Sequence, residues 1–251
     1  MSATSVRPAA SAGNETTPAA RGIYVWELPV RLAHWLIVGS IIVLSITGIY
    51  IHTPFIAPPV GDESARLMGQ VRFIHELTAL IFTAAVAWRV VWSFVGNQYA
   101  QWRAIVPHTR AQWRGIGQML AYYTFRRDEP PPAVGHNSLA GLAYLVVYAG
   151  FVGQILTGFL LFGWLLGTGP FAFFFGWSSL VPGGIQTVRL LHFLLTFAFL
   201  AFAVHHVYSS VLIDLEERTG ILSSIVTGFK HRSTPRSEAE LEAARKEGAD
   251  A

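Results

Sequence analysis

Apolar residues gather into four long runs, at about residues 32–51, 73–95, 139–165 and 190–213, and polar residues concentrate in the segments between them. Each run is long enough to cross a hydrocarbon core of about 30 Å at about 1.5 Å per helical residue. The pattern predicts four transmembrane helices, with Glu76 and Arg89 as the formal charges inside the second. Pro54, Pro58 and Pro59 mark the exit from the first run. The uncharged stretch 167–186 holds Gly, Pro and clustered Phe and Trp. It reads as an interfacial or re-entrant loop with an aromatic belt, because irregular backbone cannot face lipid. Segments 102–125 and 220–229 look amphipathic and suit the cytoplasmic membrane surface. Residues 1–22, rich in Ala, Ser, Thr and Gly, lack the apolar stretch of a cleaved signal peptide and are expected to be a disordered cytoplasmic tail. The first run then acts as an uncleaved anchor. Residues 232–251 form a charged cytoplasmic tail, which leaves 23–231 as the membrane domain.

Composition agrees with this reading and narrows the chemistry. Of 251 residues, 52% are hydrophobic and 13% charged, against about 25% charged in an average soluble domain. The chain has no cysteine, which excludes disulfides, thiolate-bound zinc and an iron–sulfur cluster on its usual ligands. A net charge of +3 and a pI near 9.4 do not indicate nucleic acid, because the basic residues flank the apolar runs. They act as topology signals. Fourteen Lys and Arg fall in the N-terminal tail, the second loop and the C-terminal segment, whereas the first and third loops hold Arg66, Arg72 and Arg189. The positive-inside rule places both termini and the middle loop in the cytoplasm.

Four histidines stand inside or at the edges of the apolar runs: His34, His75, His192 and His206. Ligand-type side chains are costly in a bilayer and mark function there by default. His192 and His206 are fourteen residues apart, which on one helix leaves them about 40° from the same face and about 21 Å apart in height. The alternative His205 would turn about 140° away, so His206 is favoured. The topology places His75 and His192 at the outer side and His34 and His206 at the cytoplasmic side. Two depth-matched pairs result, His75 with His192 and His34 with His206, and they predict a four-helix bundle binding two stacked bis-histidine b-type haems. His52, His108, His136 and His231 fall outside the paired depths and read as interfacial or solvated.

Two further regularities point the same way. Arginine precedes histidine by three residues in Arg31/His34, Arg72/His75 and Arg189/His192, a spacing that puts each guanidinium where it can pair with a haem propionate. Gly48, fourteen residues after His34, and Gly158, in a comparable Thr-Gly pair, would leave room beside the outer haem. Small residues in membrane helices also serve close packing. With both axial positions taken by histidine, such centres transfer electrons and bind neither oxygen nor substrate. Two of them make a path across the membrane, for which a quinone is the natural lipid-soluble acceptor. Tyr208, Asp214 and Glu217 lie near the cytoplasmic pair without defining its pocket.

From Tyr24 to Trp35 the chain reads Tyr-Val-Trp-Glu-Leu-Pro-Val-Arg-Leu-Ala-His-Trp, followed by an apolar run ending Thr47-Gly48. Met68-Gly69, Arg72-Phe73-Ile74-His75, Gly135-His136-Asn137, His206-Val207-Tyr208 and the segment from Ser223 to Lys230 follow. Together these resemble the b-type cytochrome subunit of membrane-bound nickel–iron hydrogenases over about residues 23–231. The resemblance implies a diheme cytochrome of the bacterial cytoplasmic membrane that anchors the hydrogenase small and large subunits. It implies electron flow from the small subunit's iron–sulfur chain through the outer and inner haems to quinone, with His34, His75, His192 and His206 as ligands. The cytochrome b gamma subunit of a formate dehydrogenase or a related reductase is the close alternative. A histidine-dependent metal transporter and a non-redox anchor are the alternatives from other classes.

Overall fold

The computed structural model describes residues 22–56, 62–131, 137–166, 180–217 and 219–230, together with the single positions 174, 176 and 177. The tail 1–21, most of the aromatic loop, His136, His231 and the C-terminal tail lie outside the described residues.

Four helices are long and apolar enough to cross a membrane: α1 (Leu28–His52), α2 (Asp62–Val95), α5 (Ser138–Leu166) and α6 (Gly184–Glu217). Three begin well before the apolar runs that define them. For α1 the reason is local: Glu27 is extended at the N-cap and Pro29 fills the first turn, where a missing N–H costs nothing. The first turns of α2 and α6 carry polar residues that a bilayer core would exclude, so hydropathy alone cuts them short.

The bundle is built as two helical hairpins. α1 packs extensively along α2, and α5 packs along α6, whereas contacts between the hairpins are sparse. They meet mainly at mid-height, where Ile37, Phe82, Ala85, Val86, Phe151 and Phe199 form the core. Within the second hairpin Gly150 of α5 lets the Phe199 ring of α6 pack close, since a β-carbon there would stand 3.0 Å from it. Leu36, Ile46, Val91, Phe94, Val146 and Val204 point outward and are exposed, as a lipid-facing surface requires.

One end of the bundle is closed by short elements. α3 (Trp102–Ile105) and α4 (Arg110–Tyr123) follow α2, and α4 begins with a reciprocal capping box between Thr109 and Gln112. It buries Ile116 and Met119 and exposes Trp113 and Arg114, an amphipathic division. At the same end β1 (Ile23–Tyr24) pairs antiparallel with β2 (Phe229–Lys230), just after α7 (Ile221–Thr227). Val25 and Trp26 donate backbone hydrogen bonds to the Gly228 carbonyl at 2.8 and 3.1 Å, and Trp26 Nε1 donates to Ser224 Oγ at 3.1 Å. Glu27 Oε2 accepts from Trp92 Nε1 at 2.9 Å and from the Asn97 amide at 2.8 Å. The two ends of the membrane domain are thereby clasped to each other and to the foot of α2.

Candidate haem-binding site

The cleft between the hairpins holds the four histidines in two levels. At the upper level, away from the clasp, His75 of α2 faces His192 of α6 with ring centroids 6.5 Å apart. At the lower level His34 of α1 faces His206 of α6 at 6.4 Å. Each pair joins one hairpin to the other. His205 is exposed and lies 3.3 Å from Ser209 Oγ, whereas His206 turns toward His34. His52 stacks on Phe193 at 3.9 Å and is exposed, and exposed His108 lies 2.9 Å from the Val106 carbonyl. Neither joins a pair.

The levels are separated by the core. Phe199 is seven residues from both His192 and His206, and Phe82 is seven residues beyond His75, about two helical turns in each case. A layer of aromatic side chains therefore lies between the two histidine pairs, packed at ring separations of 5.0 and 5.1 Å around Phe151.

The upper level has a repeated construction in which each hairpin supplies one histidine and, from its other helix, a Thr-Gly pair that seats it. Thr47 Oγ1 stands 2.8 Å from His75 Nδ1, and Thr157 Oγ1 stands 2.8 Å from His192 Nδ1. A β-carbon on Gly48 would lie 3.3 Å from His75 Cε1, and one on Gly158 would lie 3.4 Å from His192 Cε1. The space the glycines leave is thus taken by the imidazole rings themselves, and not by the room for a haem that the spacing predicts. The cavity here has a volume of about 790 Å³ and is lined by Gly48, Arg72, His75, Gly158, Arg189 and His192.

The arginines divide. Arg72 and Arg189 border the upper cavity. Arg31 instead donates from Nη1 to the Val226 carbonyl of α7, while its Nε is buried without a hydrogen-bond partner among the described residues. The lower histidines have looser polar surroundings: His206 Nδ1 is 3.4 Å from the Tyr144 hydroxyl, and His34 Nδ1 is buried without a partner. Asp214 accepts from the Ile221 amide and so caps α7, while Tyr208 is exposed.

Several observations test the fit to a haem. Two imidazoles bound to one metal at about 2.0–2.1 Å, with each nitrogen about 1.1 Å from its ring centre, have centroids about 6.2–6.4 Å apart. The lower pair, at 6.4 Å, falls at the top of this range, and the upper pair, at 6.5 Å, lies about 0.1 Å beyond it. Among the described residues no three His, Asp or Glu converge, so each pair offers too few donors for a bare ion, which takes about four. Two opposed imidazoles suit a metal whose remaining donors belong to a macrocycle. The Gln154 amide nitrogen stands 3.3 Å from His192 Nε2, and Gln154 Oε1 is buried without a partner, so the polar end of this residue is under-satisfied where a ligand is expected. The residues fit the group.

Thr47, Thr157, Gln154 and Tyr144 touch the paired histidines without being marked by the histidine spacing. The repeated Thr-Gly pair is the sequence signal for the first two. Gln154 and Tyr144 carried no signal of spacing.

Residues 25–228 match the family described as prokaryotic cytochrome b561. A probable Ni/Fe-hydrogenase B-type cytochrome subunit of Cupriavidus necator is 36% identical over 214 residues, covering 84% of this chain and 87% of that protein. The probable subunit of Azotobacter vinelandii is 34% identical, covering 87% and 92%. The probable Ni/Fe-hydrogenase 1 B-type cytochrome subunit of Escherichia coli K12 is 33% identical, covering 82% and 90%. With its four apolar helices and its histidines paired across two hairpins, this chain belongs to the Ni/Fe-hydrogenase B-type cytochrome subunit family.

Proposed function

We propose that the chain passes electrons from the small subunit of a nickel–iron hydrogenase to the membrane quinone pool, with His75 and His192 holding one b-type haem and His34 and His206 a second. The observation that carries this reading is the pair of inter-hairpin histidine contacts, with ring centroids 6.5 and 6.4 Å apart on opposite sides of an aromatic core. A haem with histidine in both axial positions supplies a one-electron iron couple with no open coordination site. The protein's contribution is to hold the rings opposed, to keep their separation fixed through hairpin packing and to exclude water with the phenylalanine layer. Arg72 and Arg189 pair with the propionates of the upper group.

By the positive-inside rule the clasp, α3 and α4 face the cytoplasm, and the upper level faces outward in the bacterial cytoplasmic membrane. The hydrogenase heterodimer docks on the outer face. The quinone site lies toward the lower level, and the remaining outward surface contacts lipid.

The test uses the intact complex in membranes. Hydrogen should reduce b-type absorbance, and an added quinone should reoxidise it. His75→Ala and His192→Ala should each remove the same half of the haem, while His34→Ala and His206→Ala remove the other half. His205→Ala should retain both. Loss of a haem in His205→Ala with retention in His206→Ala would overturn the lower pair, and a complex without hydrogen-reducible b-type absorbance would overturn the function.

A further inference from the structure

The two levels differ in what holds the far side of each imidazole. At the upper level, Thr47 Oγ1 lies 2.7 Å from the Val43 carbonyl and Thr157 Oγ1 lies 2.8 Å from the Gly153 carbonyl. These are the usual bonds of a helical threonine back to its own turn. A hydroxyl has one proton and donates it once. With that proton on the carbonyl, the oxygen is an acceptor toward His75 Nδ1 or His192 Nδ1, and the ring must supply the hydrogen. Each upper histidine is therefore fixed with its proton on Nδ1 and a bare lone pair on Nε2. The contact from the Gln154 amide nitrogen to His192 Nε2 agrees, because an amide NH₂ there needs an acceptor.

The lower level lacks this arrangement. His34 Nδ1 is buried with no partner among the described residues, and His206 Nδ1 meets the Tyr144 hydroxyl only at 3.4 Å.

We infer that Thr47 and Thr157 are positioning residues which, through the Nδ1–H of His75 and His192, set the upper haem below the lower haem in reduction potential. The inference rests on the ligand assignment proposed above. A ring that donates Nδ1–H to a hydroxyl, itself polarised by a carbonyl, carries more electron density to the metal and favours its oxidised form. Both axial ligands receive this push at the upper level, and neither receives it in full at the lower. The ordering makes transfer from the upper to the lower level downhill and gives the chain a built-in direction.

The experiment is an optical redox titration of the purified full chain with its haems, in the wild type and in Thr47→Val, Thr157→Val and Thr47→Ser. Valine keeps the branched shape and removes the oxygen, whereas serine keeps the oxygen. His75→Ala identifies the upper component as the one it removes. The expected result is that this component has the lower midpoint in the wild type, moves upward in each valine variant and stays at the wild-type value in Thr47→Ser. The lower haem should not move in any of them. Unchanged midpoints in both valine variants with two haems bound, or equal shifts of both components, would overturn the inference and leave the ligand assignment standing. Retention of both haems in His75→Ala would overturn the ligand assignment itself. Should Thr47→Val lose a haem, Thr47→Ser decides: two haems at wild-type potentials support the role of the hydroxyl, and loss of haem from the serine variant as well overturns it.

Discussion

A single methyl group at position 48 would press on the edge of the His75 ring. The β-carbon would stand 3.3 Å from Cε1, close enough that the ring must retreat by a few tenths of an ångström. Overpacking of this kind costs about 1–3 kcal/mol, so Gly48→Ala should weaken the upper site without abolishing it. Gly48→Leu fills the seat and should remove the upper haem while leaving the lower one, as read by haem content per protein in the pyridine-haemochrome spectrum. Full haem content in Gly48→Leu would show that the ring does not need this seat. The paired histidines themselves were legible in the sequence as a set, because such side chains are rare in apolar runs and because a spacing of fourteen preserves a helix face. Their threonine partners were not. A threonine in a membrane helix normally bonds to its own backbone, and only the neighbouring helix shows that the oxygen also accepts from an imidazole. Arg31 shows the reverse: its spacing from His34 fitted a propionate partner, but the backbone of α7 comes within its reach.

The helices were legible by type more than by extent. Apolar periodicity locates the part of a helix that lipid surrounds, so the polar first turns of α2 and α6 fell outside the runs. The clasp between the chain ends was not legible, because its two strands are two residues each and pair across most of the sequence. Gly228 is central to it: φ is +91°, and a β-carbon would come within 2.6 Å of the Tyr24 ring and 2.8 Å of the Trp26 carbonyl. A non-glycine residue held in a sparsely populated backbone region costs about 1–3 kcal/mol. Gly228→Ala should therefore lower the thermal midpoint of the purified protein in detergent while leaving the haem spectrum of folded protein unchanged. An unaltered midpoint would mean that the clasp adds nothing to stability.

At the scale of the whole molecule, orientation is open to a clean measurement because the chain contains no cysteine of its own. Phe55→Cys lies beyond the upper end of α1 and Trp113→Cys on exposed α4 at the clasped end. In intact cells a membrane-impermeant maleimide should label position 55 and not 113, and inverted vesicles should reverse the result; labelling of 113 in intact cells would turn the molecule over. The sequence by itself determined that the chain has four segments long and apolar enough to span a membrane and that histidine, with cysteine absent, is the candidate metal ligand. It also marked four histidines at two heights, since hydropathy, the absence of cysteine and helical spacing are properties of a linear chain. Only the tertiary structure decided how those helices associate: two tight hairpins that meet mainly at a phenylalanine layer, with each histidine pair bridging from one to the other. That association depends on side chains of separate helices meeting at short distances. The same dependence explains why the Thr-Gly seats emerged only once α1 lay against α2 and α5 against α6. A single helix can present a threonine and a glycine side by side, but the imidazole they hold comes from its neighbour.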